Sequence, residues 1–408
     1  MKNKTSPLPP ILGCLLIQLC VGVLYLWSVF KSAMGASLGG WSGVNMVSSY
    51  MLLAFVLGNL LGGFLNDRRG PRPAAAAGVG LFSLGVGLTA FVSARAPWLI
   101  YGSYCLMGGL GSGIAYAACI SCIQKWLPHR RGFASGLAVS AFGLSTVVFA
   151  PVSKWLMGCF TAASSGLVNF TPVFLILAGV FFVCGMAACA LVSLPGEAYL
   201  ESLPCPADTT PAAARSLPLG QAIRTVPFWC IFLSIFFING TWNLTVPLIY
   251  DLGLARGLSP AMATFAVSFT GIPNAAGRLV MATVSDRLGR TATMNSLCLM
   301  TLLGALLMIF IRGYAYIAVV ALIAFAFGGP SALNAAMTTD FFGPKYSGTN
   351  YGVVMTALGF SSIVFNALSN HLLHGSVTAT YLMAAGAAVV PLFLMRLIRR
   401  RAGETASL

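Results

Sequence analysis

Arg278 is the residue with the most pointed chemistry in this 408-residue chain. It lies deep in the apolar stretch 261–284, while all eight carboxylates (Asp67, Glu197, Glu201, Asp208, Asp251, Asp286, Asp340 and Glu404) fall in loops, at segment ends or in the tail. A guanidinium in hydrocarbon costs at least ~2.5–3.5 kcal/mol on insertion scales, and it cannot escape by losing its proton. With no acidic partner in its own layer, its natural counter-ion is a bound anion, held by paired N–H···O bonds to a carboxylate. Asn274 is one helical turn away on the same face. Arg278 stands eight residues before Asp286, and Tyr116 nine before Lys125. At 1.5 Å per residue this puts both at similar depth, about 12 Å from one membrane edge for Arg278. Together the three offer a carboxylate one ionic and two neutral hydrogen bonds. A snorkelling arginine and plain interhelical hydrogen bonds at Asn274 and Tyr116 are the structural alternatives.

Those residues must be positioned by a membrane. Of the chain, 58% is hydrophobic and 8% charged, against about 25% charged in a soluble protein, and the mean hydropathy is +0.88. That excludes a water-soluble fold, a disordered chain, a disulfide scaffold and a nucleic-acid binder. Apolar segments cover 8–30, 44–66, 74–94, 98–123, 132–156, 170–194, 225–250, 261–284, 292–311, 314–339, 347–371 and 376–395, each long enough to cross a bilayer. The expected fold is an all-α membrane protein of twelve transmembrane helices. The stretch from Leu8 to Phe30 is too long for a signal-peptide core and reads as the first span.

The net charge of +15 is distributed as a topology signal. With both termini cytoplasmic, seventeen Lys and Arg fall on inner segments and five on outer ones, the positive-inside pattern. The segment 195–224, rich in proline, reads as a solvated linker. The domains are then an N-terminal six-helix bundle (1–194), this linker, a C-terminal six-helix bundle (225–396) and a tail (397–408). The halves repeat. At an offset of 216, Gly113, Pro128, Gly132, Gly136, Gly143 and Ser145 pair with Gly329, Pro344, Gly348, Gly352, Gly359 and Ser361. The loop Asp67-Arg68-Arg69-Gly70-Pro71-Arg72 returns as Asp286-Arg287-Leu288-Gly289-Arg290. Two pseudo-symmetric bundles are the plan of an alternating-access carrier.

Gly63-x-x-x-Asp67-Arg68-x-Gly70-x-Arg72 resembles the loop motif of the major facilitator superfamily. Trp126-Leu127-Pro128-His129-Arg130-Arg131-Gly132 through Gly136, Phe342-Gly343-Pro344-Lys345-Tyr346-Ser347-Gly348 through Gly352, and Tyr25-Leu26-Trp27-Ser28-Val29-Phe30 are similar to the oxalate:formate antiporter family and its monocarboxylate-transporter relatives. The resemblance implies the major facilitator fold and secondary transport of a small carboxylate anion. It also makes Asp67, Arg68, Arg72, Asp286, Arg287 and Arg290 a charged cytoplasmic latch, in which an Asp can cap a helix N-terminus. Arg278 takes the position of the substrate-carboxylate anchor, Tyr25 and Trp27 that of aromatic walls, and Lys31 that of a lysine in proton-coupled entry. Counted from Ile11, Lys31 is about 30 Å up, at the outer boundary, where an interfacial lysine is equally at home. Two departures matter: Asn274 replaces an aspartate of the monocarboxylate transporters, and Leu358 replaces the second lysine of the oxalate carrier. One cation in place of two favours a monoanion such as lactate, pyruvate or formate.

The expectation is therefore a non-enzyme with no cofactor or metal, acting as a monomeric unit in an inner or plasma membrane. Its partners are the bilayer, a small carboxylate and, in a symport mode, protons. Dicarboxylate exchange, export of larger organic anions and a non-transporting receptor on the same fold are the rival readings. Cys119-x-x-Cys122, lacking a second pair or a nearby His, reads as buried small apolar positions. The run Gly108-Gly109-Leu110-Gly111-Ser112-Gly113 reads as close helix packing rather than a phosphate loop. His371 and His374 stand at an outer helix end.

Overall fold

A computed structural model describes residues 6–162, 166–196, 199, 216–368 and 376–406. The side chains of Leu24, Tyr25, Ser28, Asn45, Pro247, Asn366 and 399–406 lie outside the description, as do His371 and His374. The helices are α1 (Leu8–Val21), α2 (Trp27–Ser37), α3 (Val47–Arg69), α4 (Pro71–Thr89), α5 (Gly109–Trp126), α6 (Arg131–Cys159), α7 (Phe170–Leu191), α8 (Val226–Thr245), α9 (Ile249–Ala255), α10 (Pro260–Phe269), α11 (Gly271–Leu288), α12 (Arg290–Phe310), α13 (Ala315–Phe342), α14 (Ser347–Ala367) and α15 (Val377–Ala406). In hydrocarbon every backbone polar group must be satisfied within its own segment, which leaves the helix as the solution for apolar runs of this length.

Within the described residues, every expected span coincides with one helix or with a broken run of helices. Eight are each long and apolar enough to cross a bilayer on length and composition. The first span is interrupted: α1 gives way to a 3-10 turn, Val23–Leu26, before α2. The break follows Gly22, where any Cβ would collide with the Phe142 carbonyl oxygen. The eighth span breaks at Thr270, between α10 and α11. The seventh passes through a short 3-10 turn, Val246–Leu248, between α8 and α9. A π-helical stretch, Tyr101–Gly108, leads into α5.

The chain divides into two compact units. One gathers Met1–Leu127, Ala141–Cys205 and Ser347–Gly352, and the other gathers Pro128–Ser140, Pro206–Tyr346 and Val353–Leu408. In the first, α5 is buried along nearly its whole length, with Gly111 pressed against the Phe82 backbone and Ser112 donating to the Val21 carbonyl at 2.8 Å. In the second, α13 occupies the corresponding central place. There Gly277 of α11 is flush with the backbone of Phe325. Small residues at such crossings let helices approach at backbone distance.

The duplicated charged loop is duplicated in conformation. Gly70, between α3 and α4, has φ +89° and ψ 170°, and Gly289, between α11 and α12, has φ +87° and ψ 150°. Only glycine takes this region without strain. We predict that Gly289→Ala lowers the unfolding free energy of the detergent-solubilised protein by about 1–3 kcal/mol. An unchanged melting temperature would mean that the turn relaxes to another conformation.

Candidate functional site

Arg278 sits at the middle of α11 and is 5% exposed. Its Nε donates to Asn274 Oδ1 at 2.8 Å, and its Nη1 donates to the carbonyl oxygen of Val139 at 3.0 Å. Ser140 Oγ donates to the Ala275 carbonyl at 3.1 Å, so the third turn of α6 is tied to α11 at the arginine and three residues before it. These bonds engage two of the five guanidinium N–H groups. Among the described residues the ion pairs are Arg131–Asp340, Arg290–Asp286 and Arg290–Asp340, and none involves Arg278. The charge is thus held in place by neutral acceptors that orient it without neutralising it. Leu358, where the resemblance has a second cation, packs against an apolar cluster of the same unit.

The remaining expected substrate-site residues belong to the other unit. Tyr116 belongs to the other unit, buried between Phe55 and Phe142 at ring-centroid distances of 5.2 and 5.1 Å. Trp27 is 1% exposed, donates Nε1–H to the Val44 carbonyl at 2.9 Å and packs on Tyr104 at 5.2 Å. Lys31 is exposed on α2, and the Tyr25 side chain lies outside the described residues. Within its own unit, Arg278 has Asn274 against it, as expected.

The charged loops form two helix caps. Asp67 accepts from the backbone N–H of Thr349 at 2.7 Å and of Gly348 at 3.3 Å, at the start of α14, and from Asn66 Nδ2 at 3.1 Å. Asp286 accepts from the backbone N–H of Gly132 at 2.9 Å and of Phe133 at 2.8 Å, at the start of α6. Carboxylates suit these helix ends because free N–H groups and the helix dipole both favour negative charge there. In the second unit the cap is extended by ions. Arg290 bonds Asp286 at 2.6 Å and Asp340 at 2.8 Å, and Arg131 bonds Asp340 at 2.8 Å. Asp340 and Arg131 escaped the sequence reading; only their placement at facing ends of duplicated segments hinted at them. Arg68 lies 3.9 Å over the Phe64 ring, and Arg72 and Arg287 are exposed. Cys119 and Cys122 are buried, as expected, and Cys122 Sγ donates to the Ser193 carbonyl at 3.4 Å.

The family model of the Major Facilitator Superfamily matches residues 11–366. The chain belongs to this superfamily. Its members of known structure agree in fold: the chain resembles the E. coli fucose transporter FucP in its outward conformation with a TM-score of 0.73 at 12% identity, covering 96% of this chain and 99% of that one. In sequence the superfamily member shares 26% identity with the oxalate:formate antiporter of Oxalobacter formigenes, over 86% of this chain and 81% of that protein. It shares 25% with bovine monocarboxylate transporter 13, over 84% and 76%. The twelve-helix fold expected from the spans and the reading as a non-enzymatic transporter therefore hold.

The two caps differ in what surrounds them, and stability should show it. Asp286→Ala removes a helix cap and leaves Arg290 without one of its two carboxylates, so it should cost about 3–5 kcal/mol, as for breaking a buried pair. Asp67→Ala removes a cap alone and should cost about 0.5–2 kcal/mol. Equal losses on thermal or denaturant unfolding would contradict the asymmetry.

Proposed function

We propose that this transporter moves a small monocarboxylate of the lactate, pyruvate or formate type by alternating access, as an anion exchanger or a proton symporter. One observation carries the reading: Arg278 is buried within a membrane helix, oriented by Asn274 and Val139, and unpaired with any carboxylate among the described residues. A carboxylate substrate supplies the missing charge through the N–H groups those bonds leave over. The relatives named for oxalate and formate and for monocarboxylates support the same substrate chemistry. Leu358 in an apolar cluster supports a monoanion over oxalate, since a second carboxylate would find no fixed cation there.

The mechanism follows from charge. Loaded, the site is close to neutral, and the carrier can change state without moving a bare ion through hydrocarbon. Empty, it must carry an uncompensated guanidinium through the same change, which slows return and favours exchange. A proton on Lys31 or on the substrate would change that balance, and Lys31 is the basic group proposed for it. Tyr116, Tyr25 and Trp27 are proposed as further wall residues. The latch residues Asp67, Arg68, Arg72, Asp286, Arg287 and Arg290 are proposed as the cytoplasmic gate, in a cell membrane with both termini inside. The bundles are proposed as 1–194 and 225–396 around the linker, in a monomeric unit.

Uptake of radiolabelled L-lactate and formate into proteoliposomes tests this. Wild type should show saturable uptake, Arg278→Ala should abolish it, and Arg278→Lys should lose at least tenfold in Vmax/KM because a point charge lacks the paired geometry. Stimulation by internal anion alone marks an exchanger, and stimulation by an inward proton gradient marks a symporter. Near-normal uptake in Arg278→Ala would overturn the anchor, and uptake of oxalate in preference to formate would overturn the monoanion.

A further inference from the structure

We infer that Asn274 sets the coupling of this carrier: by orienting Arg278 with a neutral amide, it makes anion binding independent of protons and selects exchange over proton symport. The inference rests on the carboxylate reading of Arg278 and decides which of its two modes operates.

The unit that holds Arg278 supplies its own comparison. Twice in it an arginine follows a short acceptor side chain by four residues, as Asn274 and Arg278 and as Asp286 and Arg290. Both pairs close a hydrogen bond, Arg278 Nε to Asn274 Oδ1 at 2.8 Å and Arg290 Nη1 to Asp286 Oδ1 at 2.6 Å. At the segment end the acceptor is a carboxylate, and Asp340 adds a second, so Arg290 is neutralised where it stands. At mid-helix the acceptors are the amide oxygen and the Val139 carbonyl, which orient Arg278 and leave its charge in force.

The difference is one of charge rather than of fit, because an amide and a carboxylate have nearly the same size and shape. The backbone around Asn274 is also closely held. A Cβ on Gly328 would strike the Asn274 carbonyl oxygen, and Ser140 Oγ donates to the carbonyl of Ala275.

Protons find no other group at this depth of the unit. The elements packed against α11 within it are α10, α12, α13 and the first turns of α6. Among these, α10 has no titratable side chain, α6 has none between Arg131 and Ser140, and α13 has none between Tyr316 and Asp340. Beyond Arg290, α12 has only Cys298, buried in an apolar cluster with Met281 and Leu297. Tyr316 donates its hydroxyl to the Ile249 carbonyl at 2.8 Å. Asp286, Arg290, Asp340 and Arg131 are joined in ion pairs at the segment ends, while Arg287, His129 and Arg130 are exposed.

Charge then decides the coupling. With an amide at 274 the empty site carries one positive charge and the loaded site is neutral, with no proton involved. A carboxylate there would make the empty site neutral and the loaded site negative. A proton would then have to enter with the substrate to spare a bare charge in hydrocarbon. The amide removes that need. It also keeps the empty site charged, so the return step depends on a second anion.

The test is formate counterflow in proteoliposomes at equal pH on both sides, from about pH 5.5 to about pH 8, where formate itself stays ionised. Wild type should keep its formate KM within about twofold over that range, and an inward proton gradient should not accelerate its uptake. Asn274→Asp should raise the KM at least about tenfold at the alkaline end, regain affinity toward acid, and respond to the gradient. Asn274→Ala, which removes the orienting acceptor without adding charge, should raise the KM by a similar factor at every pH. A wild-type KM that climbs about tenfold with pH, or wild-type uptake accelerated by the gradient, would overturn the inference whether or not the variants fold. A folded Asn274→Asp as indifferent to pH as wild type would overturn it too, since charge at 274 would then be without consequence. If wild-type uptake follows the gradient and Arg278→Ala abolishes it, this inference fails and the anchor stands. If wild-type protein takes up none of formate, lactate or pyruvate, the carboxylate reading fails and the role of Asn274 falls with it.

Discussion

A permanent positive charge buried in hydrocarbon constrains everything around it. Guanidinium does not discharge at physiological pH, so the protein must surround it with acceptors, pair it, or let a ligand pair it. Around Arg278 the acceptors among the described residues are one amide oxygen and one backbone carbonyl, both neutral. Such partners fix direction and leave the charge in force. On the proposed reading, that leaves a charge for a bound anion to complete, a sound basis for recognition and a poor one for simple stability.

The same scaffold is used twice with different chemistry. Both halves break helix direction at a glycine of nearly identical backbone conformation, and both spend an aspartate on the first N–H groups of a helix. Beyond that the halves part. The second adds Arg290, Asp340 and Arg131 to its cap, whereas Asp67 is joined by the neutral Asn66. At mid-helix, the second half has an Asn–Arg pair one turn apart and the first has Phe55 and Asn59. Duplication supplied equivalent positions, and divergence concentrated the charge in one copy.

Much of this was legible in sequence because it is local. Apolar runs, the i to i+4 spacing of Asn274 and Arg278, and the repeated charged loop are all properties of neighbouring residues. The interruption after Gly22 was not legible, since it depends on where the Phe142 carbonyl comes to lie. Nor was Val139, whose contribution is a backbone oxygen and leaves no trace in residue type. Asp340 looked like one more charge at a helix end, because its two arginine partners are 50 and 209 residues away. The repeat itself slipped by one place: the fixed offset pairs Gly113 with Gly329, while the contacts pair it with Gly328. The partner of Trp27 was not legible either, since its N–H donates to the Val44 carbonyl, another backbone oxygen.

The most direct test of the central claim is equilibrium binding, which needs neither gating nor a coupling ion. Binding of radiolabelled formate to the purified protein, measured by scintillation proximity with excess unlabelled anion as competitor, asks only whether the charge on Arg278 is completed by a carboxylate. The account predicts saturable binding to wild type that unlabelled lactate or pyruvate displaces and that Arg278→Ala eliminates. Binding of equal strength to both proteins would show that the carboxylate is held elsewhere.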